Sequence, residues 1–432
     1  MTTKRPLAIF FSIVVLMASA VFVFSGPKTQ MRFATTWTPS EGEGLYLEKT
    51  IDALNQDSNG KYLWTYESAA GHEHETAMRI QLAADNMPDV YTFWPGQAII
   101  TAFKEGGAML DMDKYLKDSK QVSAKNWNQE ENNFYRYWND GIYVLPIEAF
   151  HGFFNVNKSI LDRYGIKPPT TFAELVAAGK VLRSNGIIPI DTGSKGANPG
   201  HLMLSEITYQ FKGAMQDVRN IKSTGTAKTE AILKGWRVVE QMRKENLFPD
   251  DTIASGDWDA AGALYNQGKA AMEMCYPWMI QRIPQDILAN TVIIPFPKID
   301  GTAYARGEVI MGGISHGLCI NPKSYSNPAK KAGTIAMADI LTSDAFTKMI
   351  VKMGATPARL IKLAEGDATP FYRNMLAVKT NAKYVVPPTD FMLPGTVGWE
   401  AYMQAVDGLF AGEPADQMLD VLQKGVVRGL SQ

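Results

Sequence analysis

Two hydrophobic rhythms alternate along this chain, and the switches between them predict its elements. Residues 31–37 (MRFATTW), 61–67 (KYLWTYE) and 90–94 (VYTFW) are short apolar runs of strand composition. Between and after them, Leu47, Ile51 and Leu54 recur at helical spacing. Met78 and Leu82 share a helix face, and Ile99, Ile100 and Phe103 precede Gly106-Gly107. Strand and helix in turn predict an α/β unit with a mostly parallel sheet. A second unit follows. Thr171 and Glu174 have capping-box spacing ahead of a helix carrying Leu175, Ala178 and Leu182. Residues 187–190, 270–280 and 291–296 read as strands, the second breaking at Pro277-Trp278. Gly312-Gly313 reads as a glycine loop leading into a strand. Helices are predicted around Ile232 and Trp236, over 328–342, and over two closing stretches with Trp399 and Tyr402, then Met418 and Leu422. In open α/β sheets ligands lie beyond the carboxyl ends of strands. Trp37 and Trp94 fall at such ends.

Residues 143–158, YVLPIEAFHGFFNVNK, organise the rest. Pro146 and Gly152 argue against a helix, and the apolar runs on either side argue for strand. Glu148 and His151 interrupt them. A carboxylate and an imidazole within an apolar strand are either paired in a core or turned to a wet cleft. The preferred expectation is a strand that crosses between two lobes and shows its polar residues to the cleft.

Length supports two domains, since 432 residues exceed one ordinary core. The 43 basic and 44 acidic residues nearly cancel, which gives no support for a nucleic-acid partner. Lys4 and Arg5 precede the apolar run 7–24, and Ala18-Ser19-Ala20 has the form of a cleavage site. Residues 1–26 are therefore expected to be a signal peptide or an uncleaved N-terminal anchor, and the body is expected to be exported to the periplasm or cell surface. Cys275 and Cys319 lie in apolar surroundings, where buried thiols and a disulfide both remain open.

Candidate chemistry is sparse. The chain has no G-x-S-x-G and no phosphate-binding glycine loop. His72 and His74 in GHEHE would point to different sides of a helix, a poor arrangement for a metal. Glu41 and Glu43 with Glu148 could serve as an acid pair for glycoside cleavage, but no neighbouring motif supports catalysis. What recurs is a tryptophan near Pro, Gly or acidic residues: Trp37, Trp94, Trp278 and Trp399. Aromatic faces stack on sugar rings while carboxylates and amides bind hydroxyls.

Six stretches then carry a resemblance: PDVYTFW (88–94), LPIEAFHGFFNVNKSIL (145–161), YGIKPPTTFAELVAAGKVLRSNGIIPI (164–190), YNQGKAAMEMCYPW (265–278), CINPKSYSNPAKKAGTIAMADIL (319–341) and GWEAYMQAV (398–406). In order and spacing the chain resembles extracellular solute-binding protein family 1, the sugar-binding receptors of ABC importers that include maltose-binding protein. The resemblance implies an α/β, two-lobed periplasmic-binding-protein fold of type II with three crossings, near 146–150, 315–318 and 382–388. The lobes would be 28–147 with 316–384, and 148–315 with 385–432. It implies a monomer without catalysis, metal or cofactor, closing on a sugar and docking on the transmembrane permease subunits. Glu148 matches an acidic sugar contact, Trp94 a ligand-contacting position, and Trp278 and Trp399 stacking aromatics. Trp37, Glu41, Glu43, Gln97, His151, Asn198, Tyr276, Gly312 and Gly313 complete the expected cleft. The loop Pro95-Gly96-Gln97 lacks a charged hydroxyl-binding pair, and TPSEGEG (38–44) is peculiar to this chain. A polyamine, phosphate ester or peptide ligand in the same fold is the alternative. A phosphate ester would want clustered arginines, and only Arg306 and Arg359 lie near the expected cleft.

Overall fold

The computed structural model describes residues 27–40, 42–57, 60–94, 96–127, 141–257 and 260–431. The expected export segment and Glu41 lie outside them. Among the described residues, eleven strands form two sheets, and a separate core accompanies each sheet.

β1 (Thr29–Thr35), β2 (Tyr62–Ser68) and β3 (Val90–Phe93) are the strands expected from the first apolar runs. β1 lies parallel to both of the others. Helices Gly42–Gln56, Gly71–Ala83 and Gln97–Glu105 follow them in turn. Leu47 and Ile51 bury the apolar stripe of the first helix against Met31, Phe33 and Val90 in the first core.

The parallel pattern ends beyond β3. β4 (Leu145–His151) and β9 (Val309–Ile320) pair antiparallel along β4, and β9 also lies antiparallel to β3. With β10 (Thr356–Pro357) at the edge, the order is β10-β4-β9-β3-β1-β2, and β11 (Tyr384–Val386) joins β9 separately. The second sheet runs β6 (Ile188–Asp191), β7 (Ala270–Cys275), β5 (Phe153–Asn157), β8 (Thr291–Ile294), with only β6 and β7 parallel. Both sheets are thus mixed, where mostly parallel ones were expected. The cause is connectivity. A parallel neighbour needs a long crossover, whereas β5 enters the second sheet one residue after β4 leaves the first.

The crossing is resolved residue by residue. Ile147 and Ala149 of β4 belong to the first core, and Phe150 to the second. On β9, Val309 and Met311 belong to the second core, and Ile314 and Leu318 to the first. The change falls at paired positions, with Phe150 opposite Gly313 and Ala149 opposite Ile314. Gly312-Gly313 therefore lies within a strand, not in the expected loop. A Cβ at Gly312 would stand 2.7 Å from the Phe150 carbonyl oxygen and 2.8 Å from the His151 ring. The close approach of the two crossing strands requires glycine there.

Ala358 still packs in the first core, whereas Tyr372, Met375 and Val378 of helix Pro370–Thr380 pack in the second. This helix keeps company with the core opposite to the one expected for 316–384. Periodicity gave it an apolar face, but a face does not say which core receives it. Helix Phe172–Ser184 starts at the expected capping box. Cys275 and Cys319 are free, buried thiols in different cores.

Candidate ligand-binding site

The crossing strands bring an acid and an imidazole face to face. Glu148 of β4 pairs with His316 of β9 at a register irregularity, which re-aims side chains out of a regular ladder. Glu148 is 3 % exposed. His316 Nδ1 stands 3.3 Å from a Glu148 carboxylate oxygen, yet the two do not align as a hydrogen bond, and Glu148 Oε2 and His316 Nδ1 are both buried without one. On its other side, His316 Nε2 meets the Thr36 hydroxyl at 2.5 Å, and its ring lies 4.4 Å from that of Trp37.

Glu43 arrives from the first turn of helix Gly42–Gln56 and is 4 % exposed. Gln281 Nε2, just past helix Pro277–Ile280 of the second lobe, approaches its two oxygens at 3.4 and 3.5 Å. These contacts bridge the lobes. Burial pushes the Glu43 carboxyl up to about 7, with the Glu148 charge as a second cause, against the opposing pull of its backbone N–H, Gln281 and His316.

An aromatic cluster gathers on Phe150, two residues after Glu148 on β4. Tyr276 and Trp278 stack with ring centroids 5.3 Å apart at 15°, and Phe150 approaches them at 6.4 and 5.3 Å. Pro277 opens a short helix, since its missing N–H costs nothing at the first helical position. Trp278 thus stands on a first helical turn, half-buried, while Tyr276 is buried with its hydroxyl unbonded. Trp94 is half-buried and packs against both cores. Buried polar atoms normally find partners. An unmet acceptor and an unmet hydroxyl are groups that a polyhydroxylated ligand would satisfy.

The sequence profile of bacterial extracellular solute-binding proteins matches residues 38–346. The chain belongs to this family. As a member it is an extracytoplasmic solute receptor with the two-lobed binding-protein fold, and not an enzyme. A probable sugar-binding periplasmic protein of Rhizobium meliloti (strain 1021) is 26 % identical over 343 residues, 75 % of each chain. The melibiose/raffinose/stachyose-binding protein MelE of Bacillus subtilis (strain 168) is 22 % identical over 332 residues, 71 % of each. Among solved structures, a chitin oligosaccharide binding protein superposes with a TM-score of 0.80 at 19 % identity, covering 94 % of this chain and 100 % of that one. That likeness speaks to fold alone.

Within this solute-binding protein the remaining expected residues scatter. Trp37 is 3 % exposed and packs in the first core, so only its contact with His316 links it to the junction. His151 is buried and packs on Phe153, with both ring nitrogens unbonded and its basicity depressed by burial. Trp399 is half-buried on helix Gly395–Ala411, beside the rings of His201 and Tyr402. Asn198 is buried just ahead of helix Gly200–Thr208, and Gln97 begins helix Gln97–Glu105. His74 is buried with Nε2 on the Thr92 carbonyl, and burial lowers it to about 4. Sequence reasoning missed His316, Gln281 and Thr36. For His316 a signal existed: an imidazole inside the apolar run ISHGLCI (314–320) poses the same problem as Glu148.

Proposed function

We propose that this receptor captures a sugar or oligosaccharide between its lobes and delivers it to the permease of an ABC importer. One observation carries the reading: Glu148 Oε2 and His316 Nδ1, facing each other across the crossing strands, and Tyr276 Oη, whose ring packs on Phe150 and Trp278, are all buried without hydrogen bonds. The sugar names of the relatives point the same way. Trp278 offers the stacking face, and Glu148 and Glu43 accept hydroxyl hydrogen bonds. Gln281, on the opposite lobe, closes over them. Trp94 and Trp399 line the cleft further along, with Asn198. Closure is a hinge motion about Ala149–Phe150 and Met311–Ile314, where the paired strands change core. The lobes divide at Ala149/Phe150 and between Met311 and Ile314, and the last return to the second lobe lies between Ala358 and Tyr372. Export is directed by residues 1–26, and a mature body starting between Val21 and Lys28 is expected from mass spectrometry of the secreted protein. A full-length mass would instead identify an anchor.

A cationic solute such as a polyamine is the second reading. It is favoured by the proximity of Glu43 and Glu148, where His316 is the basic group facing both. Thermal shift across maltose, raffinose and chito-oligosaccharide series and across putrescine and spermidine separates the two. A ligand at 100 times its Kd should stabilise by about 2.7 kcal/mol. Stabilisation by polyamines alone would overturn the sugar reading, and glycan cleavage products on chromatography would contradict capture without chemistry.

A further inference from the structure

His151 ends β4, one residue beyond Phe150, where that strand joins the second core, and it stands opposite Gly312 of β9. It is 1 % exposed, and both ring nitrogens are buried without hydrogen bonds. Its Cδ2 and the Cγ1 of Val385 on β11 lie 2.8 and 3.0 Å from the point that a Cβ at Gly312 would occupy. The ring therefore fills the notch that glycine leaves between the two crossing strands, and β11 closes over it. Phe153 packs on the ring at 6.3 Å.

A buried imidazole with neither nitrogen bonded is costly. When neutral it offers one donor and one acceptor, and when protonated two donors and a charge. Burial first, and then the Lys379 charge, hold its basicity well below the ordinary value. The groups on neighbouring elements do not offset this. Lys379 comes from helix Pro370–Thr380 and adds a like charge. Glu206 accepts from the Met311 N–H beside Gly312, and burial raises its carboxyl to about 8. The Tyr276 ring lies against Gly152, and burial keeps its hydroxyl protonated. Glu308 and Lys383, which flank β11, pair with each other at 3.6 Å. A proton on His151 is accommodated where water reaches the ring.

In this structure the lobes touch. Gln281 reaches Glu43, and helix Gln97–Glu105 of the first lobe packs against the turn Thr389–Met392 and helix Gly395–Ala411 of the second. With the lobes shut the ring is dry, yet solvent is one side chain away, since Val385 is 37 % exposed. We propose that His151 is a proton-sensitive wedge at the hinge: uncharged, it packs the crossing strands with the lobes shut, and a proton on its ring opens the crossing to water and the lobes with it. This rests on the hinge at Ala149–Phe150 and Met311–Ile314. The sign follows from linkage. A histidine lowered in the shut state and ordinary in the open one takes up its proton on opening. Acid therefore favours open lobes and weakens capture below about pH 6.5.

The test is energy transfer between dyes on Lys49→Cys in the first lobe and Lys222→Cys in the second, in the full secreted protein. Both positions are exposed, and Cys275 and Cys319 are buried. Maltotriose, raffinose and chitotriose, added in turn, read closure itself. Between about pH 7.5 and about pH 5.5 the ratio of open to shut molecules should rise roughly tenfold, the effect of one imidazole that titrates near 6.5 when open. His151→Phe fills the notch without nitrogens and His151→Gln stays polar without titrating, so both should lose that rise. Melting temperature shows that each variant is folded. A wild type that closes on a glycan but keeps one lobe ratio at both pH values overturns the wedge and leaves the hinge standing. A rise that survives in both folded variants does the same. A wild type that responds to neither glycan nor pH overturns the hinge reading as well.

Discussion

The second core and the lobe junction both bury acids, and they settle them differently. In the core, each acid has a donor of the protein's own. Glu206 accepts from the Met311 backbone N–H, Glu273 accepts from Asn155 Nδ2 at 3.1 Å, and Asp191 accepts from the Tyr265 N–H at 2.9 Å. At the junction, Glu148 Oε2 has no hydrogen bond, and Glu43 has long ones to Gln281 beside its own backbone N–H. Burial alone does not separate the two sets, since all five are nearly inaccessible. What separates them is whether acceptor capacity is used up inside the protein. A satisfied acid rigidifies its surroundings, whereas one with spare capacity is costly until something else fills it. The first kind should govern stability and the second affinity.

The largest effect should come from Glu206. Its carboxylate grips β9 at Met311, one residue before Gly312-Gly313 and beside the point where the strand changes core. Glu206→Ala leaves that N–H buried and unpaired and opens a cavity, so a loss of about 2–4 kcal/mol is expected by urea titration. Glu206→Gln keeps an acceptor and should recover most of it. A Glu206→Ala protein as stable as wild type would erase the distinction between the two sets of acids.

Glu148 should behave oppositely. Glu148→Gln removes a charge the protein leaves without a hydrogen bond, so the melting temperature should hold or rise while sugar affinity falls roughly tenfold or more. Trp278→Ala should weaken binding comparably through lost stacking. Because Trp278 is half-buried, its stability cost should stay below the roughly 3–5 kcal/mol of a core tryptophan such as Trp236. Calorimetry and melting curves on the same preparations make the comparison. A Trp278→Ala loss in the core range would move that residue from the cleft to the scaffold.

These residues were not equally legible in the sequence. Glu148 could be found because one acid within an apolar strand is anomalous whatever the fold. The helix at Thr171 could be found because capping-box chemistry is local. The packing of Trp37 was not legible, because proximity to Pro, Gly and Glu in sequence says nothing about Phe346 and His316, which pack on it from more than 270 residues away. The mixed sheets were hidden for a related reason. Strand direction at β4 and β9 depends on which lobe each segment joins, and alternation of strand and helix carries no record of that. Gly312-Gly313 looked like a loop because the close approach of Phe150 and His151 that needs glycine is visible only in the folded pair. Gln281 carried no signal, being one amide among many.

The contrast also has a pH dependence, and its sign follows from burial. Burial raises Glu206 and Glu273 to about 8, Glu43 and Asp390 to about 7, and Asp191 to about 6. Unfolded carboxyls titrate near 4, so between there and 8 the native state binds more protons than the unfolded chain. The stability these groups contribute is fully present below the unfolded pKa and is lost as pH rises through the folded values. His74 and His201 are lowered to about 4, below an unfolded value near 6.5, so their contribution is present above 6.5 and lost as pH falls towards 4. Below 6.5 the two slopes oppose. Between 6.5 and 8 the acids act alone, and the melting temperature should fall as pH rises, by at most about 1.4 kcal/mol of stability per pH unit for each proton released. Glu206→Gln has no proton to release and should be less steep over this window, whereas Glu206→Asp should keep the slope. A melting temperature that is flat or rising from pH 6.5 to 8 would mean that the core acids are ionised in the native state. Their internal donors would then outweigh burial, and the contrast with the junction would rest on hydrogen bonding alone.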